Sequence, residues 1–382
     1  MNTTNRLRLF YFLYYLGVGV FSPYIGLFLT KQGMDGSQLA LMLGIMPLVR
    51  ILTQPLWSLL SDVYQIRRPV LTASMLMVSG VCALMSQAHS FAPLLALLIA
   101  QAAFDAPGSP LTNALTLDYL EKQGRAERFG SIRMWGSVSF IISSFIFGTL
   151  LLKAHADWLP AVYAGVMAAA AVASLLVPDS ARKASAPALK DSLHVLRQKP
   201  ALLLLLAGIA LCGASIGMYS QYLAIYMEEI RAAEWLIGAA VALQAVSEVP
   251  LMASASKIVN RIGLGPALLV GLWVLPVRMG LYSAIREPLL VLPVQFMHGV
   301  SITSVLVVGA AFIARQLPDE WRATGQSLLS MSFGGVGSSI GLFLAGMVYT
   351  SGSTRPVWWM GAALGVAGAV VTTVAMRKSR TV

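Results

Sequence analysis

Long apolar runs, broken by short charged or turn-rich stretches, recur along the whole chain. In order they predict membrane-spanning helices near residues 8–30, 37–60, 69–88, 91–117, 130–152 and 158–177, and again near 199–227, 235–256, 265–284, 288–314, 324–350 and 356–376. Each run is close to the roughly 20 residues that a helix needs to cross the hydrocarbon of a bilayer. Backbone groups have no water to bond there, so runs of this length resolve into helix. The longest polar stretch, residues 179–198, carries Ala, Ser, Lys and Pro and leaves six spans on either side. The expected organisation is an all-α membrane protein of twelve transmembrane helices, with a six-helix bundle over 1–178, a cytoplasmic linker over 179–198 and a second six-helix bundle over 199–382.

The two sets of spans read as copies. A shift of 198 positions lays "FSPY", ending at Tyr24, on "YSQY", ending at Tyr222, and brings Arg50 onto Glu248 without a gap. The same shift sets the turn "SDVYQI" from Ser61 against "VNRIGL" from Val259. Duplication of this kind implies two pseudo-symmetric bundles, a solute held near the bilayer midplane and movement by rocking one half against the other.

Composition agrees with lipid as the main solvent: 57% of the 382 residues are hydrophobic and 11% charged, against roughly 25% charged in a soluble domain. The net charge of +11 would suggest nucleic acid in a soluble chain, but these charges sit in loops. Twenty Lys and Arg, from Arg6 and Arg8 through Arg67, Arg68, Arg125 and Arg128 to Arg377, fall on one face, and five, including Lys31, Lys153 and Arg231, on the other. That bias makes the first face and both termini cytoplasmic, in a bacterial inner membrane. No nucleic-acid partner is expected. The run after Arg8 continues to Thr30 without a small-residue cleavage site and reads as the first span.

Cys82 and Cys212 lie within apolar segments, and His89, His155 and His194 have no ligand-like spacing, so no disulfide, metal or cofactor is expected. Walker, HExxH and paired-carboxylate patterns are missing from the sequence, and an enzyme is not expected.

An ionisable side chain at bilayer depth costs about 2.5–3.5 kcal/mol on insertion scales, which makes each one a functional candidate. Five lie well inside spans: Arg50, Asp105, Glu248, Arg278 and His298. The internal repeat suggests an ion pair across the halves between Arg50 and Glu248. Asp105 sits in "AFDAPGSP", where a Pro/Gly break either lines a polar cavity or lies shallow at the outer end. Aromatic residues Tyr11, Tyr14, Tyr15, Phe21 and Tyr24 in the first span, with Tyr219 and Tyr222 in the seventh, form either a wall for an aromatic solute or an ordinary packing and interface belt.

The stretches "YFLYYLGVGVFSPY" from Tyr11, "LVRILTQPLWSLLSD" ending at Asp62, "RFGSIRMWGS" from Arg128, "KIVNRIG" from Lys257 and "ATGQSLL" from Ala323 resemble the major facilitator superfamily, within its lactose-permease and phenylpropionate-permease branch. The turn from Ser58 to Arg68 is similar to the superfamily's G-x-L-[SA]-D-x-x-G-x-[RK]-[RK] loop, with Ser58 and Gln65 in place of the two glycines. The resemblance implies a conformational latch at Asp62, Arg67 and Arg68. It implies a proton-coupling cluster at Arg278 and His298, spaced by 20 residues as in that branch. The carboxylate expected three residues after the histidine is replaced by Ser301, which leaves Glu248 as the substitute acid, with Arg278 alternating between Glu248 and His298.

Arg133 stands at the branch's substrate-binding arginine and Phe140 at its aromatic partner. The partner acid in the fourth span is missing; Asn113 is nearest, with Asp118 farther toward the cytoplasm. An arginine without a carboxylate can take an anionic solute in a bidentate pair. Candidate binding residues are therefore Arg133, Asn113, Phe140, Tyr24, Tyr222 and Asp105. The expected function is proton-coupled symport of an aryl or alkyl monocarboxylate by a monomer. A sugar or nucleoside symporter is the second reading, then a drug antiporter, whose Gly-Pro signature is missing from "GSVSFIISSFIFG" at Gly136, and last a non-transporting sensor.

Overall fold

A computed structural model describes residues 2–150, 155–179, 200–318, 321–349 and 353–379. Among them are twelve helices long and apolar enough to cross a membrane: α1 (Thr3–Lys31), α2 (Gly36–Val63), α3 (Arg67–Met85), α4 (Phe91–Lys122), α5 (Ala126–Leu150), α6 (Ala156–Ser174), α7 (Ala201–Glu229), α8 (Glu234–Ile262), α9 (Leu264–Ala284), α10 (Pro288–Gln316), α11 (Thr324–Val348) and α12 (Arg355–Arg377). The predicted linker, 179–198, lies outside the described residues apart from Asp179.

The helices are inverted relative to a water-soluble core. Leu52, Leu56, Met347 and Trp359 are exposed, whereas Gln101, Thr116, Arg278 and Gln295 are fully buried. So much exposed large apolar surface suits hydrocarbon and would aggregate in water. Apolar attraction between helices is weak in that solvent, so small residues make the close contacts. In α7, a Cβ at Gly213 or Gly217 would strike the α11 backbone at Phe333 or Ser338, and one at Gly341 would strike Ala214.

Local breaks follow the sequence. Asp35 caps α2 by accepting from the Ser37 hydroxyl at 2.6 Å and the Gln38 N–H at 2.8 Å, while the Gln38 side chain accepts from the Asp35 N–H. The Ser37 hydroxyl and the Gln38 N–H hold the Asp35 carboxyl below the usual carboxylate range. α4 is interrupted between Asp105 and Gly108, where Pro107 has no N–H to continue the ladder. In the turn between α2 and α3, Gln65 has φ 56°, the left-handed conformation that the resembling loop gives to glycine. Gln65→Gly is expected to stabilise the chain by about 1 kcal/mol by removing the Cβ clash. A raised melting temperature in detergent checks it; an unchanged or lower one would show that the Gln65 side chain contributes more than its strain costs.

By its contacts the chain divides into two compact units. The first is Met1–Met34, Leu48–Ser185 and Ile237–Ala242; the second is Asp35–Pro47, Ala186–Leu236 and Leu243–Val382.

Candidate functional site

In the second unit the buried charges form one hydrogen-bonded chain. α8 contributes Glu248, α9 Arg278 and Tyr282, α10 Gln295 and His298, and α7 Tyr219. Glu248 Oε1 lies 3.1 Å from His298 Nε2, and His298 Nδ1 lies 2.9 Å from Arg278 Nη1. A guanidinium only donates, so Nδ1 must accept and the imidazole proton resides on Nε2, from which it is donated to Glu248. A proton on Nδ1 would face an N–H head-on, so His298 is held neutral for as long as Arg278 stays in place. Arg278 is fully buried, donates from Nε to the Tyr282 hydroxyl at 3.1 Å, and stacks 3.6 Å over the Tyr219 ring. Its Nη2 has no hydrogen-bond partner. The Tyr219 hydroxyl reaches Gln295 and Gln244, each at 2.6 Å, and Tyr282 reaches Gln295 at 3.4 Å. Pro250, two residues after Glu248, and Pro276, two before Arg278, interrupt the helix ladders beside both charged groups.

The first unit holds a second polar cluster. Arg50 on α2 pairs with Asp105 on α4 at 3.0 Å, and the Tyr14 hydroxyl reaches the other Asp105 oxygen at 3.4 Å. Gly108 is required for that approach, because a Cβ there would strike the Tyr14 ring. Tyr14 meets Tyr15 edge-on, with centroids 5.0 Å apart, and the Arg133 guanidinium lies 4.1 Å above the Tyr15 ring. The Tyr11 hydroxyl donates to Asn113 at 2.8 Å, and its ring lies 6.2 Å from that of Tyr15.

The pairing expected between Arg50 and Glu248 is therefore corrected: Arg50 takes Asp105, Glu248 takes His298, and each partner belongs to the same unit as its mate. Arg278 touches His298 and not Glu248. Tyr24 spends its hydroxyl on the Ser144 carbonyl at 2.6 Å, a packing tie to α5. Tyr222 is buried against Tyr349 with its hydroxyl unpartnered among the described residues, Phe140 is half-buried on α5, and Ser301 donates to the Met297 carbonyl of its own helix.

At the turn between α2 and α3, Arg67 is nearly buried and donates Nε and Nη2 to Asp62 at 3.0 and 2.9 Å, and Nη1 to Asp118 on α4. A cation at the N-terminus of α3 opposes the helix dipole, and the two carboxylates compensate it. Arg68 contributes its backbone N–H to Asp179 at 3.2 Å. Sequence reading missed the role of Asp118, since its partner comes from another helix. It also missed Tyr282 and Gln295, although Tyr282 follows Arg278 by four and Gln295 precedes His298 by three, the spacings of one helix face. Tyr219, read as solute wall or packing, is buried, stacks on Tyr282 and lies beneath the Arg278 guanidinium.

The MFS_1 like family matches residues 4–360. A maltose permease of Geobacillus stearothermophilus is 24% identical over 379 residues, covering 98% of this chain and 94% of the relative. The "Probable 3-phenylpropionic acid transporter" of Escherichia coli (strain K12) is 25% identical over 326 residues, covering 84% of each. The crystal structure of the nucleoside transporter NupG superposes with a TM-score of 0.89 at 15% identity, over 98% of this chain and 99% of that one, and shares its fold.

Proposed function

From the premise that this chain belongs to the MFS_1 like family, and is thus a multi-pass transporter of the major facilitator superfamily, we propose that it performs proton-coupled symport of an aryl or alkyl monocarboxylate, such as phenylpropionate, by alternating access. The observation that carries this reading is the chain Glu248–His298–Arg278. A half-exposed carboxylate, with 30% of its side chain accessible, is joined through a neutral imidazole to a fully buried guanidinium. Glu248 is the proton carrier in this scheme. His298 relays its state to Arg278, whose unsatisfied Nη2 gives it an alternative position to move to.

The solute carboxylate pairs with Arg133, whose guanidinium lies over the Tyr15 ring. Asn113 on α4, bonded to Tyr11, and Phe140, seven residues after Arg133 on α5, complete the proposed solute contacts. Arg67, Asp62 and Asp118, with Arg68, act as the latch of one conformation. The charge bias puts both termini in the cytoplasm and the chain in a bacterial inner membrane, where it works as a monomer. A sugar or nucleoside symporter is the second reading, favoured by the similarity to a maltose permease.

Vesicles containing the chain, given labelled aryl carboxylates, sugars and nucleosides, test this directly. Uptake of the acids should rise when an inward proton gradient is imposed. Uptake confined to a sugar or nucleoside would select the second reading, and uptake of nothing would overturn symport.

A further inference from the structure

Away from its buried charges, the first unit carries a further polar cavity of about 360 Å³, at the end of the bundle where α1 starts, α4 ends and α5 starts. Three arginines line it from three segments: Arg8 from the second turn of α1, Arg125 from the turn between α4 and α5, and Arg128 from the first turn of α5. Gln123 and Ser131 add neutral polar groups, and Glu127 is the one carboxylate among the described lining residues.

Basic residues at the ends of spans are expected of any chain that crosses a bilayer, so their number alone says nothing. Their arrangement does. The three guanidinium groups converge on a concave space, where low-dielectric walls focus a field of one sign. Arg8 is half-buried; its Nη1 donates to Asn5 at 3.3 Å, while Nε is shielded from solvent and has no hydrogen-bond partner among the described residues. An arginine has five N–H donors, so this one has most of its fork left to give. Arg125 stands at the N-cap of α5 with no side-chain cap bond. A cation there opposes the helix dipole, and an anion in the cavity relieves both.

We propose that this cavity binds a phosphate group, a phosphomonoester presented by an anionic lipid or by a soluble phosphate ester. A tetrahedral phosphate offers acceptor oxygens in several directions, which suits forks arriving from separate segments, whereas a planar carboxylate is filled by a single fork. The phosphate carries roughly −1.5 to −2 at neutral pH, which offsets the surplus of three cations over one carboxylate in the lining. The cavity lies at the ends of spans, the level of lipid headgroups, and is reached from the bilayer surface as well as from water. Once bound, the phosphate ties α1 to α5, the helices that carry Tyr15 and Arg133. The site does not depend on which solute the chain carries.

The test is the melting temperature of the full chain in phosphatidylcholine nanodiscs. Glycerol 3-phosphate is added to the buffer in one arm and phosphatidic acid to the bilayer in the other, with glycerol as the neutral control. A ligand that binds the folded chain raises the melting temperature saturably. A rise with glycerol 3-phosphate supports the site and identifies a soluble ester as sufficient. A rise with phosphatidic acid alone supports it and identifies the lipid headgroup.

The triple variant Arg8→Lys/Arg125→Lys/Arg128→Lys keeps every charge, and with it the insertion bias, but removes the forks. Without ligand it should melt as the starting protein does, and its half-saturating concentration should rise at least about tenfold, as expected for losing hydrogen bonds from charged donors. Arg125→Lys alone, at an exposed position, should show part of that rise and reads the site even where the triple variant folds poorly. Lys122→Gln removes a charge from the end of α4 that does not line the cavity, and should change nothing. Absence of a rise in both arms, or an unchanged half-saturating concentration in the arginine variants, overturns the proposal. An equal loss in Lys122→Gln also overturns it, since the attraction would then belong to the basic surface as a whole.

Discussion

Glu248→Gln should abolish solute accumulation driven by a pH gradient while leaving equilibrium exchange intact. The substitution keeps the side-chain volume, and the amide oxygen still accepts from His298 Nε2, which lies 3.1 Å from the carboxylate in the native site. The geometry around Arg278 is therefore preserved and the cluster's carboxylate is removed. With one coupled proton, a pH difference of one unit supports about tenfold accumulation, because one unit is worth about 1.4 kcal/mol. The variant should bring inside and outside concentrations to equality and stop there. Counterflow of labelled solute against unlabelled solute reads the exchange limb separately. Full accumulation by the variant would show that Glu248 is an architectural partner of His298 and that the proton travels elsewhere.

Arg67→Ala should be among the most destabilising single substitutions in the chain. Arg67 has 4% of its side chain exposed, Asp118 9% and Asp62 18%, and the guanidinium is the shared counter-charge of both carboxylates. Its removal leaves two carboxylates close together and poorly solvated. Breaking a buried pair by deleting one partner costs about 3–5 kcal/mol, which a melting curve in detergent resolves easily. The double variant Arg67→Ala/Asp118→Ala removes one of the two carboxylates and should recover part of the loss, since groups in contact are not additive. Strictly additive losses would show that Arg67 and Asp118 do not support one another, and the latch would then have no physical basis.

The legibility of this chain differs between its levels. Helices α1 to α12 were readable because bilayer thickness and backbone satisfaction act on consecutive residues, so that a local apolar run is already the structure. The break in α4 at Pro107 was readable for the same reason. The chemistry was readable as a roster: Arg50, Asp105, Glu248, Arg278 and His298 stand out as charges where charge is expensive. Their partners were not. Repeat symmetry suggested Arg50 with Glu248, yet Arg50 reaches Asp105 and Glu248 reaches His298. The i to i+4 spacing of Arg278 and Tyr282 went unused in the sequence reading, and nothing in the spacing announced that Tyr219 would lie beneath the guanidinium.

What the amino-acid order determined by itself was the solvent, the number and length of the spans and the identity of the few charged residues inside them, because each is set by side chains adjacent in the chain. What the tertiary structure decided was which charge meets which: Arg67 with Asp118, Arg50 with Asp105, and His298 between Glu248 and Arg278. Those meetings depend on how far each helix is rotated about its own axis and how closely its neighbour packs. Both are fixed by the summed fit of small and large side chains over whole helix faces, a quantity distributed along the chain and carried by no single motif.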